Sequence, residues 1–206
     1  SDLKENAEGR LKKDEYDKEN AQDFALWKAW DENDGDVFWE TSLGKGRPGW
    51  HIECSAMSIK ELGESFDIHT GGVDLIFPHH ENEIAQSECA TGKDFVKYWM
   101  DNEHLMVDGS KMSKSAGNFY TLRDLIEKGI DPVAFRMWLY TAHYRTKTNF
   151  TLDTVNGSGT AIKRLYDTYL SLGDETGVTS ENYKNKLIEV MDEDLNTPQA
   201  LALLWE

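Results

Sequence analysis

The chain has 206 residues, a formal net charge of −16 and 39% hydrophobic residues. This composition supports a folded core, and the acidic balance disfavours unspecific nucleic-acid binding while permitting a local basic patch. Two cysteines, Cys54 and Cys89, are too few for a disulfide framework. No stretch approaches the ~20 apolar residues of a membrane helix and no signal peptide is evident, so we expect a cytoplasmic protein.

The first half of the chain predicts alternating helices and strands. Residues 1–20 are highly charged and indicate an exposed helix or linker. Apolar spacing predicts a helix over residues 50–62 and a short strand over 66–69. A helix over 78–89 and a second buried strand over 98–107 follow. Strand, helix and strand in this order predict a parallel α/β layer.

The second half predicts helices. Residues 121–128, 132–143 and 152–172 each carry a helical pattern, and a last helical segment begins at Tyr183. Gly129 is typical of a helix stop. The chain lacks an initiator Met and stops within this last helical pattern, which indicates a piece of a longer protein.

A cationic loop is the most informative motif. It is the run Lys111-Met112-Ser113-Lys114-Ser115, with glycines close by on both sides. Two lysines beside hydroxyls can neutralise the charge that develops when pyrophosphate leaves a polyphosphate. One lysine–phosphate contact at ~4 Å is worth roughly 4 kcal/mol before desolvation. For an arbitrary run of this kind, a solvated surface loop is the simpler explanation.

Two further groups suggest ligand binding. His79 and Glu83 stand four residues apart on a predicted helix, so they share a face and form half of a zinc site, to which Cys54 can add a thiolate. Packing and solvation explain such residues more often.

Gly71-Gly72 allows a ligand close to the backbone, and Asp74 can accept hydrogen bonds from a ribose. A Gly-Gly turn is common, so spacing alone decides little.

Several strings resemble one family. The KMSKS loop (residues 111–115) is the nucleotide-loop signature of class I aminoacyl-tRNA synthetases. The strings at 49–57 (GWHIECSAM) and 77–87 (FPHHENEIAQS) closely resemble cysteinyl-tRNA synthetases. The resemblance runs from about Phe24 to the end, and further strings that carry it lie at 71–74, 142–145 and 194–198.

The resemblance implies an α/β protein. The chain would contain the second half of a Rossmann-like parallel-sheet catalytic domain, followed by an α-helical region. Residues 1–35 would end an inserted or connecting segment, and 36–120 would form the C-terminal half of the catalytic domain with the KMSKS loop. Residues 121–172 would form a helical stem-contact region, and 173–206 the start of a helical tRNA-binding domain. The N-terminal half of the catalytic domain would be missing.

The resemblance also implies a metal site. Cys54, His79 and Glu83 would be three of four zinc ligands, the fourth being a cysteine outside this chain, because Cys89 matches no ligand position. Trp50 would line the cysteine pocket. Zinc takes a sulfur ligand more readily than a hydroxyl, so it would separate cysteine from serine without an editing site.

The implied nucleotide contacts lie in two places. Lys111 and Lys114 would be the catalytic residues, and Lys114 would also contact ATP together with Gly71, Gly72 and Asp74. ATP would be a substrate and would bring Mg²⁺. The other implied partners are the substrates cysteine and tRNA(Cys). We expect the protein to be a monomer and to have no contact with a membrane.

Three departures from the family stand out. The chain has no His-x-Gly-His sequence and no fourth zinc ligand, and both absences fit a missing N-terminal half. After Trp99-Met100, family members often carry His-Asn-Gly, whereas this chain has Asp101-Asn102-Glu103 with His104 one step on. Any role that the family gives to a histidine at position 101 is therefore open.

The leading prediction is a cysteine–tRNA ligase, which activates cysteine with ATP and ligates it to tRNA(Cys). The activity belongs to a longer parent, and we expect the isolated fragment to be inactive. One alternative is a cysteine ligase of mycothiol biosynthesis with the same adenylate chemistry, which these residues do not separate from the first. Another is a non-catalytic paralogue that acts as a binding module. Both KMSKS lysines and all three ligand types are present, which disfavours the paralogue.

Overall fold

The computed structural model describes residues 23–113, 117–173 and 177–206. The predicted helix or linker over residues 1–20 and Lys114 of the KMSKS loop lie outside this description. The described residues hold eight strands and seven α-helices in a mixed α/β fold with parallel and antiparallel pairs. They form two compact units, one ending at Asp101 and one beginning at Asn102. No helix within the described ranges is both long and apolar enough to cross a membrane.

A small antiparallel sheet opens the first unit. Its strands β1 (Trp27–Ala29), β2 (Trp39–Thr41) and β3 (Gly44–Pro48) lie in the order β1-β3-β2. The central strand needs glycine at position 46, because a Cβ there would collide with the carbonyl oxygen of Lys28.

The remainder of the first unit carries the predicted order of strand, helix and strand. Helix α1 (Trp50–Leu62) packs against α2 (Glu81–Thr91). Strand β4 (Phe66–Gly72) is hydrogen-bonded to β5 (Val96–Asn102). The elements therefore follow one another as the sequence predicts.

Helix α2 begins close to the position that the sequence predicts. Its regular α-helical part is Glu81–Thr91, and a wider helical turn over Ile76–His80 precedes it. Phe77 is the residue of that turn with non-helical backbone angles, φ −134° and ψ 132°. The residue before a proline is driven away from helical backbone angles, so helical backbone resumes at Pro78, where the sequence predicts the start.

The predicted continuous strand over 98–107 is also wrong. Strand β5 ends at Asn102, and β6 (Leu105–Val107) belongs to a different sheet. Between them, the Glu103 N–H donates to the Tyr144 carbonyl oxygen over 2.9 Å. The His104 N–H donates to the Glu103 carboxylate over 3.0 Å. Because both N–H groups bond elsewhere, neither is left for a strand partner.

The sheet of the second unit leads directly into the KMSKS loop. Strand β6 pairs antiparallel with β7 (Ser110–Lys111) and parallel with β8 (Thr148–Phe150). Strand β7 ends at Lys111, the first residue of the loop. The sheet therefore fixes the point from which this loop leaves.

Five helices complete the second unit: α3 (Leu122–Glu127), α4 (Pro132–Leu139), α5 (Leu152–Ser171), α6 (Glu181–Asp192) and α7 (Thr197–Leu204). Thr121 and Thr151 each cap the helix that follows through a capping box, which supports the predicted starts of α3 and α5. Helix α4 ends at Leu139 rather than at the predicted residue 143. The single helix predicted from Tyr183 is two helices.

A hydrophobic core holds the strands and helices of the second unit together. The Phe150 ring from β8 meets the Trp138 ring from α4 edge to face, with centroids 5.6 Å apart. Val155 of α5 is fully buried beside them. The remaining buried members are Val107, Leu125 and Ile130. The base of the KMSKS loop is therefore attached to a packed core.

Candidate metal centre and active site

Three side chains converge in the first unit. Cys54 lies on α1, His79 in the turn before α2, and Glu83 in the first turn of α2. One ligand atom from each lies within 4.8 Å of the other two. Among the described residues, this is the group of Cys, His, Asp and Glu side chains that can hold a metal ion. The structure thus brings together the three residues that the sequence singles out.

The His79 imidazole is already oriented as a ligand. Its Nδ1 lies 2.8 Å from Nδ1 of His51, and its Nε2 lies 3.8 Å from Oε2 of Glu83. With the shared hydrogen on His79 Nδ1, Nε2 keeps its lone pair and lies on the side of the ring near Glu83. Burial lowers the pKa of His79 to about 4, so the ring is neutral, as a metal ligand must be.

Glu83 is fully buried, and its two oxygens differ in their surroundings. Oε2 accepts a hydrogen bond from Nε2 of His69 over 3.0 Å. Oε1 has no hydrogen-bond partner within the described part of the chain. A buried carboxylate oxygen without a partner is costly, and a cation would satisfy it. The nitrogen, sulfur and oxygen donors together fit zinc.

Cys54 supplies the sulfur. Burial raises the pKa of its thiol, and the carboxylates of Glu83 and Glu53 raise it further. A bound cation opposes both effects and favours the thiolate that ligates metals. Cys89 is exposed and is not part of this group of described residues.

The spacing of the ligands suits an incomplete site. Zinc contacts of about 2.0–2.3 Å in a tetrahedron place ligand atoms roughly 3.3–3.8 Å apart. The His79–Glu83 separation of 3.8 Å meets this requirement. The limit of 4.8 Å for the whole group means that its ligand atoms must move about 1 Å closer together if all three are to bind one ion.

Trp50 forms a wall beside this group. Its ring centroid lies 4.5 Å from that of His79, and its ring stacks on His51 at 6.1 Å. The side chain is 56% exposed, so one face remains open to a small molecule. The indole therefore lies beside the group of three ligand side chains, in contact with His79.

Sequence reasoning missed the histidines around the ligands. His51 and His69 hold His79 and Glu83, and His80 is buried next to them. A signal was present, since two of these three missed histidines, His51 and His80, occur in the two family-like strings. The contacts join residues up to 28 positions apart, however, and the spacing does not reveal them.

The Gly71-Gly72 pair and Asp74 lie together where β4 ends. A Cβ on Gly72 would lie 2.6 Å from Oδ1 of Asp74, and a Cβ on Gly71 would lie 2.5 Å from Nε2 of His80. The Leu75 N–H donates to the Gly72 carbonyl oxygen over 2.8 Å, which closes the turn. Gly71 is therefore needed for the close approach of the buried His80 ring, and Gly72 leaves room for the Asp74 carboxylate.

Asn118 holds the first residues of the KMSKS loop in the second unit. Its Oδ1 accepts from the Ser113 N–H over 2.9 Å, and its Nδ2 donates to the Lys111 carbonyl oxygen over 3.2 Å. The Lys111 ammonium lies 3.4 Å from Nε2 of His104. Lys114, the second predicted catalytic lysine, is outside the described residues.

Comparison with known proteins decides the family. The family described as the tRNA synthetases class I (C) catalytic domain matches residues 1–159. The chain belongs to this family. Its motifs had led to the same expectation, which is confirmed.

Curated relatives agree with this assignment. A cysteine–tRNA ligase of Brachyspira hyodysenteriae is 54% identical and matches 99% of this chain and 45% of its own length. A cysteine–tRNA ligase of Chlamydia muridarum is 50% identical and matches 96% of this chain and 44% of its own length. The chain thus spans less than half the length of these relatives.

A solved structure supports the fold. The LeuRS of Agrobacterium radiobacter, in a ternary complex with tRNA and LeuAMS, matches 82% of this chain and 28% of its own chain. The TM-score is 0.60 and the sequence identity is 13%. At this identity the likeness shows a shared fold alone.

Proposed function

We propose that the protein to which this chain belongs activates cysteine with ATP and ligates it to tRNA(Cys). The observation that carries the proposal is the convergence of Cys54, His79 and Glu83 beside the open face of Trp50. The names of the relatives support it, since both are cysteine–tRNA ligases. The protein would act as a monomer in the cytoplasm, where Cys54 stays reduced.

The metal group would select the substrate. Zinc, when bound, supplies a soft position for the substrate thiolate. His51 holds the His79 ring with Nε2 towards the group, and His69 holds one oxygen of Glu83. Trp50 would cover the bound side chain and exclude water from one side. A hydroxyl in place of the thiol would bind weakly there, so serine would be rejected at the binding step.

Two other regions would bind ATP with its Mg²⁺. Gly71 and Gly72 would bring the backbone close to the nucleotide, and Asp74 would accept hydrogen bonds from the ribose. Lys111 and Lys114 would stabilise the negative charge that develops as pyrophosphate leaves. In this proposal the first unit is part of a Rossmann-like catalytic domain, and the helices after residue 120 contact tRNA.

The test is cysteine-dependent exchange between ATP and pyrophosphate. We expect exchange from the complete protein with cysteine, background exchange with serine, and none from residues 1–206 alone. The isolated chain lacks a His-x-Gly-His sequence and a fourth ligand, which motivates the last expectation. Cysteine-dependent exchange by the isolated chain would contradict it, and none by the complete protein would contradict the proposal.

The acceptor distinguishes the remaining alternative. A cysteine ligase of mycothiol biosynthesis would share the exchange reaction but would transfer cysteine to an amino sugar. We expect the complete protein to load tRNA(Cys) and to leave the amino sugar unmodified. Transfer to the amino sugar in place of tRNA would reverse this assignment.

A further inference from the structure

A half-buried carboxylate faces a buried imidazole at the end of β5. Oδ1 of Asp101 lies 3.1 Å from Nδ1 of His80, and the two side chains are 17% and 5% exposed. The pair falls outside regular hydrogen-bond geometry, and neither atom has another hydrogen-bond partner within the described ranges. The Asp101 carboxylate is therefore the polar group that stands against the buried Nδ1 of His80.

The opposite edge of the His80 ring touches the backbone of β4. A Cβ on Gly71 would lie 2.5 Å from His80 Nε2 and 2.6 Å from Cε1, so the ring occupies the space of a side chain at position 71. The ring also packs against Trp99 at 4.7 Å and His69 at 5.5 Å between centroids. The ring is thus enclosed on several sides, with Nε2 against Gly71.

We propose that Asp101 is a positioning residue for nucleotide binding, acting through His80. The carboxylate keeps the hydrogen-bearing Nδ1 edge of the ring turned towards β5. The Nε2 edge then supports the Gly71-Gly72 backbone at the place where ATP is proposed to bind. This inference rests on the proposed function and names one further residue on which ATP binding depends.

Loss of the carboxylate has a defined consequence. The Nδ1 hydrogen of His80 would remain buried without an acceptor, so the ring would turn to find one. Because Nε2 and Cε1 lie against Gly71, a rotated ring displaces the Gly71-Gly72 backbone. The metal ligands come from other side chains, so the cysteine site is expected to stay intact.

The experiment uses the complete protein and cysteine-dependent ATP–pyrophosphate exchange. Asp101→Leu removes the acceptor at similar size and is expected to raise the KM for ATP about fivefold to tenfold. Asp101→Asn keeps an acceptor oxygen, so its KM for ATP is expected to stay close to that of the unaltered protein. Asp67→Leu is the matched control, because Asp67 is an exposed β4 carboxylate that pairs with Lys97 on the surface. The KM for cysteine and the zinc content should not change.

A double-mutant cycle separates positioning from general damage. In a His80→Asn background, Asp101→Leu should change the KM for ATP less than about twofold, because the residue through which it acts is gone. An equal effect in both backgrounds, or an unchanged KM for ATP in Asp101→Leu, would overturn the inference. A raised KM for cysteine with loss of zinc would overturn it too, since Asp101 would then act on the metal group.

Two controls keep the inference separate from the proposed function. If the unaltered protein shows no cysteine-dependent exchange, the proposed function fails, and calorimetric titration with Mg-ATP then tests Asp101 directly. The same weakening in Asp101→Leu is expected there, and unchanged binding would refute the role. If Asp101→Leu does not fold, as judged by its melting temperature, His80→Asn alone must weaken Mg-ATP binding for the inference to stand.

Discussion

The Arg145 guanidinium donates from Nε to Oδ2 of Asp194 over 2.6 Å, joining positions 49 residues apart. Tyr144 donates from its hydroxyl to Oδ1 of the same carboxylate over 2.6 Å, and His143 Nε2 lies 2.8 Å from the Asp194 carbonyl oxygen. Asp194 has a φ of 52° and Leu195 one of 55°. Three consecutive side chains therefore hold the left-handed turn that separates α6 from α7.

This contact predicts a pH-dependent stability. The hydrogen bonds from Arg145 and Tyr144 hold the pKa of Asp194 below its ordinary value of 3.8. A lowered pKa means that the folded state resists protonation. The stabilisation is therefore present above the ordinary pKa and is lost as the pH falls through the lower, folded-state value. Asp194→Asn should lower the melting temperature at neutral pH and reduce its further fall from about pH 5 to about pH 3.

Asp192→Asn provides the matched control, because Asp192 is exposed two residues earlier. It should leave the melting curve and its pH dependence close to those of the unaltered protein. An Asp194→Asn protein with an unchanged melting temperature at neutral pH would show that the three side chains do not stabilise the turn.

The metal group predicts different effects for the two cysteines. Cys54→Ser replaces the sulfur ligand by a hydroxyl, which binds zinc poorly, so zinc content should fall strongly. Cys89→Ser alters an exposed thiol outside the group and should leave zinc content unchanged. Metal analysis of the purified complete protein measures both.

Cobalt substitution gives a second measurement of the same prediction. Co²⁺ bound by a thiolate shows a sulfur-to-metal charge-transfer band, which should be present in the unaltered protein and in Cys89→Ser. It should weaken strongly in Cys54→Ser, where the expected fourth ligand, a cysteine outside this chain, is the remaining thiolate. A band as strong in Cys54→Ser as in the unaltered protein would show that Cys54 is not a ligand.

The residues of the metal group could be predicted from the sequence, two of them from their spacing and one from the family resemblance. The interval of four between His79 and Glu83 indicates a shared direction, and Nε2 does lie 3.8 Å from Oε2 although His79 precedes the regular helix. Cys54 was a candidate only as a nearby thiol, and its assignment as a ligand came from the family resemblance, since no local pattern relates positions 54 and 79. The caps at Thr121 and Thr151 act within four residues, which is why the starts of α3 and α5 were predictable.

The failures have a common physical origin. The break at Glu103 depends on the carbonyl of Tyr144, and the turn at Asp194 depends on Arg145. The approach of Asp101 to His80 likewise joins separate elements. Each contact forms only when the chain has folded, so neither periodicity nor local propensity contains it.

The core of the second unit predicts a large loss of stability when the Trp138 side chain is replaced by a methyl group. Trp138 is 5% exposed and packs against Phe150 and Phe135. Trp138→Ala should lower the free energy of unfolding by roughly 3–5 kcal/mol, because it removes buried contacts and leaves a cavity. Leu139→Ala, at a 41% exposed neighbour, should cost much less. Denaturant unfolding measures both, and equal losses would show that Trp138 is not part of a packed core.

The proposed role of the KMSKS loop predicts that a lysine substitution slows cysteine activation without weakening the binding of cysteine to the same degree. In the complete protein, Lys114→Ala removes a charge whose contact with the departing pyrophosphate forms chiefly in the transition state. The single-turnover rate of cysteine activation should therefore fall far more than the affinity for cysteine. Lys128→Ala, at the end of α3, removes an equal charge elsewhere and should leave the rate unchanged. An unchanged activation rate in Lys114→Ala would leave the second lysine of the run as a residue of a solvated loop.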